Sequence, residues 1–216
     1  MLSISLAMNK KGYKTILLTT CESGELHKSF QEHDVENYNY SIPKNTFFII
    51  KHFFFLIRFC RRHNIDYVYS HLQVANFIAV LAQYFISAKV FVCRHHSDYV
   101  RWGPSKNARF FDKVIGKLAK NIVAISDRVK REMLEHEGIN PNKIIRINNA
   151  YDFSLFPPVD KKIKNQIITN YDLMVKDLVL LNVGRMIPLK RQALLLKLVY
   201  LLKKDGFDIK LLIIGS

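Results

Sequence analysis

The stretch Leu180–Arg191, LLNVGRMIPLKR, holds the residues best spaced for chemistry on an anion. An apolar run ends at Val183, Gly184 permits a tight turn, Arg185 follows at once, and Lys190 stands where the next helical pattern begins. An anion at that point would meet helix-terminal N–H groups, a planar guanidinium and an ammonium together. A diphosphate suits the set, because its charge grows as it departs and fixed donors then stabilise it. A solvated loop with two surface cations has the same spacing, and spacing alone leaves the two readings even.

Other positions carry reactive side chains with plainer readings beside them. His95 and His96 sit in CRHHSD, just after an apolar run, and His71 ends the segment DYVYSH. On the residues alone, a loop histidine bonded to backbone is the favoured reading for the doublet. His71 either lines a cleft or is a satisfied structural histidine. Ser126 precedes a helical pattern and reads first as an N-cap, with a ligand role second. Asn149 and Asp152 read as turn residues. Lys51–His63, KHFFFLIRFCRRH, is either an aromatic and basic face for anionic lipid or a core helix. In the second reading its basic end complements the helix dipole, and that reading is preferred for the phenylalanines.

These groups need elements to position them, and short β-rich runs alternate with longer helical patterns. Helices are expected over Leu2–Lys10, closed by Gly12, and over Phe47–His63, Gln73–Ile86, Asn107–Ala119, Asp127–His136 and about Arg191–Lys204. Strands are expected at Lys14–Thr20, Asp66–Ser70, Lys89–Cys93, Asn121–Ile125, Lys143–Ile147, Leu178–Val183 and Lys210–Ile214. Apolar strands each followed by a helix imply an α/β fold with a doubly wound parallel sheet. Sites in such sheets lie where strands end and loops begin. The chain opens inside a helix, so residues 1–152 are expected to form a Rossmann-like domain lacking its first strand. Residues 153–176, with Pro157-Pro158 and a charged run, read as a linker leading into a helix. Residues 177–216 read as the first strand–helix–strand unit of a second, incomplete domain.

The 216 residues carry 33 basic and 18 acidic side chains, a net charge of +15, which implies an anionic partner. Cys21, Cys60 and Cys93 are scattered and form no short-spaced pair, so neither a disulfide framework nor a metal site is expected. Met1–Ala7 is too short for a signal peptide, and Phe47–Cys60 is too short and too charged to span a bilayer. A cytoplasmic protein is therefore expected. Dinucleotide and P-loop fingerprints are absent. A nucleic-acid-binding protein would explain the charge, but no helix-turn-helix, RNP-like or zinc-finger pattern carries that reading.

An ordered set of segments adds to this. Asp66–His71 (DYVYSH), Val123–Leu134 (VAISDRVKREML), Asn148–Pro157 (NNAYDFSLFP), the Gly184–Lys190 turn and Lys210–Ser216 (KLLIIGS) occur in that order. Together they resemble the motifs of glycosyltransferase family 4, enzymes of the GT-B fold. The resemblance implies transfer of a sugar from a nucleotide-sugar donor to a glycan or lipid-linked acceptor, as in bacterial surface polysaccharide synthesis. It implies retention of configuration, no metal and no cofactor beyond the donor as substrate. A peripheral position at the inner face of the plasma membrane is implied as well.

By the same resemblance, Gly184, Arg185 and Lys190 would hold the donor diphosphate, and His96 would reach the reaction centre near the acceptor. His95 is its rival for that role, since the doublet leaves the register open by one. His71 and Ser126 would lie near the cleft. Ala150 departs from the family, which usually has Gly there. The family's Gly-rich first loop and its spaced pair of glutamates have no counterpart, so the chain alone is expected to show little or no transferase activity. A nucleotide-sugar epimerase of the same fold and an inactive fragment are the alternatives.

Overall fold

The computed structural model describes residues 1–216 except 44–45, 96–105, 152, 154–156, 175 and 216, and gives only backbone for 106–109 and 189. The chain forms two compact units, Met1–Asp152 and Phe153–Ser216.

The first unit opens with α1 (Leu2–Lys10), β1 (Ile16–Thr19), α2 (Glu25–Gln31), β2 (Glu36–Asn39) and α3 (Phe48–Arg62). Gly12, at φ +85°, ends α1 by donating its N–H to Asn9 O at 2.9 Å. β1 and β2 pair in parallel as a two-stranded sheet. Neither α2 nor β2 has a clear sequence signal. β2 reads ENYN and is mostly exposed, so it lacks the apolar alternation that marks a half-buried strand. α2 is short and is fixed by a side chain: His27 Nδ1 accepts the Gly24 N–H at 2.9 Å, and its Nε2 lies 3.0 Å from Thr19 Oγ1.

The rest of the unit is β3 (Tyr67–His71), α4 (Gln73–Ala82), β4 (Lys89–Arg94), α5 (Lys106–Leu118), β5 (Asn121–Ala124), α6 (Asp127–Glu135) and β6 (Ile144–Arg146). The strands form a parallel sheet in sequential order β3-β4-β5-β6. Right-handed crossovers between successive neighbours place every connecting helix on one face. The side chains agree. Even-numbered strand residues Val90, Val92, Ile122, Ala124 and Ile144 pack with Ala79 and Val80 of α4, Ile115 of α5, and Val129 and Met133 of α6. Ile122, Ala124 and Val80 are fully buried, and a buried aliphatic side chain of Val or Ile size contributes about 1.5–3 kcal/mol. The odd-numbered face is less covered: Tyr67 is 63% exposed and Ile145 48%.

The second unit holds α7 (Lys161–Asn170), β7 (Leu178–Val183), α8 (Gln192–Lys204) and β8 (Ile209–Ile214). β7 and β8 pair in parallel over six residues. Asp160 caps α7 by accepting the Lys162 N–H at 2.7 Å. Among the described residues no helix is long and apolar enough to cross a membrane.

Candidate functional site

Strand alternation decides which side chains meet at the C-terminal ends of β3 and β4. The register pairs Tyr69 with Phe91 and His71 with Cys93. Paired residues of parallel strands point to the same face, as do residues two apart. Tyr69, His71, Cys93 and His95 therefore share the odd face. His71 Nδ1 lies 2.7 Å from His95 Nε2, and the Tyr69 hydroxyl donates to Cys93 Sγ at 3.2 Å. The Tyr69 and His71 rings meet edge to face with centroids 4.3 Å apart.

Burial lowers the pKa of His71 to about 4, with the neighbouring His95 and the N-terminal amine acting in the same direction. His71 is thus a neutral imidazole near pH 7. Its Nε2 is buried and has no hydrogen-bond partner. Burial also raises the Cys93 thiol, with the Tyr69 hydrogen bond opposing the rise. Tyr69 is pushed up in turn, first by burial and then by its bond to Cys93.

The even face at the same strand end is ionic. Arg94 pairs with Asp112 of α5 at 2.8 Å and with Glu137 beyond α6. All three are nearly buried, and Gln73 at the start of α4 donates to Asp112 Oδ1 at 3.0 Å. Burial pushes the Glu137 carboxyl up; Arg94 opposes that shift and Asp112 adds to it. Asn76 adds a neutral tie, accepting from Ser70 Oγ at 2.7 Å and donating to Cys93 O at 3.0 Å. This lattice fixes the end of β4 from below, so the position of His95 on the opposite face is set by buried ion pairs. Between β3 and α4, Leu72 has φ +71° and ψ 153°, a region disfavoured for any side chain.

The sequence-derived candidates divide accordingly. His71 and His95 come together. His96 and Asp152 lie outside the described residues. Ser126 caps α6, its Oγ accepting the Val129 N–H at 3.2 Å. Cys93, Tyr69, Arg94, Asp112 and Glu137 were not singled out from sequence, although the every-second-residue spacing of 69 and 71, and of 93 and 95, carries the signal for the odd-face group.

Gly184, Arg185 and Lys190 are in the second unit. The Gly184 N–H donates to Ile214 O at 2.8 Å, continuing the β7–β8 pairing into the turn. A Cβ added at Gly184 would lie 3.7 Å from Lys190 Cδ and Cε, so the lysine stem crosses the glycine. Arg185 is exposed, and its carbonyl accepts from Gln192 Nε2 at 3.0 Å. Lys190 does not begin the helix: it ends a 3-10 turn, Pro188–Lys190, and α8 starts two residues later behind Arg191 in the left-handed conformation. Pro188 explains this, since it opens the turn and the chain reverses once more before the helix. At the far side, a Cβ on Gly215 would overlap the Gly184 carbonyl, so only glycine fits there.

Comparison with known proteins fits this architecture. Among solved structures, a glycosyltransferase from Rickettsia africae superposes with a TM-score of 0.70 at 18% identity, covering 100% of this chain and 64% of that one. Anabaena HepE in complex with UDP and glucose gives 0.67 at 12% identity, covering 100% and 66%. A candidate UDP-N-acetylglucosamine 2-epimerase from Listeria monocytogenes gives 0.60 at 16% identity, covering 99% and 57%. The chain thus spans about two thirds of the length of the first two, and the shared fold is the parallel α/β architecture of GT-B enzymes. No curated protein sequence matches it. The family model Glycosyltransferase Family 4 matches residues 1–155, and the chain belongs to that family.

Proposed function

We propose that the protein acts in glycosyl transfer, with the Gly184 turn binding the diphosphate of a nucleotide-sugar donor. The observation that carries this is the fold of the turn, in which Lys190 lies across Gly184 and Arg185 stands exposed beside it. With no side chain at Gly184, the Lys190 stem packs across the turn, and an anion there would meet both cations and the start of α8. As the donor bond breaks, the leaving diphosphate gains charge, and those groups hold it without reorganising. The solved Anabaena neighbour contains UDP, which makes UDP the first probe. The acceptor is a glycan or a lipid-linked sugar, in bacterial surface polysaccharide synthesis, and configuration is retained. His96 is the acceptor-side histidine of this reading, with His95 its rival for the role.

Calorimetric titration of the full chain with UDP tests the donor site. Arg185→Ala and Lys190→Ala are each expected to weaken binding about tenfold or more, since a hydrogen bond to a charged group is worth about 1.5–3 kcal/mol. Unchanged binding in both variants would remove the site from this turn.

Peripheral contact with an anionic membrane is part of the same proposal. On α3, Ile57 and Phe59 are buried, whereas Phe54 is 63% exposed and Phe47, just before the helix, 59%. The core reading therefore covers only some of the phenylalanines. Ile50, Lys51, Arg58, Arg61 and Arg62 are exposed along the same helix. Vesicles rich in phosphatidylserine should retain the protein at low salt and release it at high salt. Equal retention on neutral vesicles would contradict the electrostatic part.

A further inference from the structure

We propose that His71, Cys93 and His95 form a binding site for a divalent transition-metal ion of the zinc class. Each of the three offers a ligand atom, and these atoms lie within 4.8 Å of one another. The placement follows from backbone register: His71 and Cys93 are paired across β3 and β4, and His95 lies two residues beyond Cys93 on the same face. No short-spaced motif announces such a site, because its ligands come from two strands separated in sequence.

The chemistry of the donors selects the ion. One thiolate and two imidazoles favour zinc, cobalt, nickel or copper over magnesium and calcium, which take oxygen ligands. Zinc bonds of about 2.0–2.3 Å put tetrahedral ligand atoms roughly 3.3–3.8 Å apart. His71 Nδ1 and His95 Nε2, now 2.7 Å apart, need to separate by roughly an ångström or less to fit that geometry. Both rings lie at the C-terminal ends of β3 and β4.

Binding breaks the Cys93 S–H bond, forms a sulfur–metal bond and releases the proton to solvent. The Tyr69 hydroxyl, already donating to Cys93 Sγ at 3.2 Å, then donates to the bound thiolate and holds its orientation. With three protein ligands the ion keeps a fourth position for water. The site lies wholly within the first unit and does not depend on the donor-diphosphate reading, which concerns the second.

The test is titration of the EDTA-stripped full chain with Co2+ alone. The site predicts tetrahedral cobalt bands in the visible and a thiolate-to-cobalt band in the near ultraviolet, saturating at one equivalent and bleached by zinc. One proton should be released per ion bound. Cys93→Ser should abolish the thiolate band, while Cys60→Ser, a buried cysteine on α3, should leave the spectrum unchanged. His95→Asn and Tyr69→Phe leave the sheet core intact, and each should weaken cobalt binding about tenfold or more. Absence of tetrahedral bands in the unmodified chain would overturn the site. So would an undiminished thiolate band in folded Cys93→Ser, or unchanged affinity in both His95→Asn and Tyr69→Phe.

Discussion

The two units use the same strand–helix–strand pattern and reach different degrees of burial. In the first, four parallel strands share one helical layer, and strand residues such as Ile122 and Ala124 lose all contact with water. In the second, β7 and β8 pair over their full length, yet Leu181 is 61% exposed, Val183 68% and Leu194 58%, and Ile209 is the buried member of the apolar set among the described residues. A strand pair satisfies backbone hydrogen bonds without making a core. Stacked neighbours are what convert alternation into burial. The contrast extends to the sites. The first unit assembles its polar groups from separate strands, above a buried ionic lattice, whereas the second takes its candidate groups from one turn.

The largest expected effect lies in that lattice. Arg94→Met leaves Asp112 and Glu137 buried without their cation and should cost about 3–5 kcal/mol in denaturant unfolding of the first unit. Unpaired buried carboxylates bind protons more readily when folded than when unfolded. The folded variant therefore gains stability as pH falls through the raised folded pKa of Glu137, and its deficit should shrink under acid conditions. A deficit that is small, or that grows on acidification, would mean the ion pairs do not anchor β4.

Core truncation compares the units directly. Ile122→Ala should destabilise by about 2–5 kcal/mol, whereas Leu181→Ala should change stability by roughly 0.5 kcal/mol or less. Similar costs would break the comparison. Gly215→Ala acts on the second unit through a backbone clash with Gly184, and should cost about 1–3 kcal/mol there without moving the unfolding of the first unit. One modest effect is a gain: Leu72→Gly relieves a disfavoured backbone conformation and should stabilise by about 1 kcal/mol, read as a raised melting temperature.

The sequence made the alternation of apolar strands and helices legible from β3 onward, because each strand there carries enough Val, Ile or aromatic residues to declare itself. It did not reveal β2, whose polar ENYN depends on pairing with β1 and on no burial of its own. The Gly184 turn was visible as a motif, but the 3-10 turn that ends at Lys190 was not, nor was the left-handed Arg191 between it and α8, which local propensity does not show. His71 and His95 were legible as separate histidines. Their contact, and the inclusion of Cys93 with them, depends on a β3–β4 register that no local pattern specifies. Arg94 carried no signal in the sequence, because its partners Asp112 and Glu137 lie far along the chain.

The most direct test of the central claim is backbone amide exchange of the full chain with and without UDP. Binding of a donor diphosphate at the Gly184 turn predicts slowed exchange for Gly184 through Ala193, and loss of that protection in Lys190→Ala. Protection elsewhere with none at this turn, or protection that Lys190→Ala leaves untouched, would contradict the account.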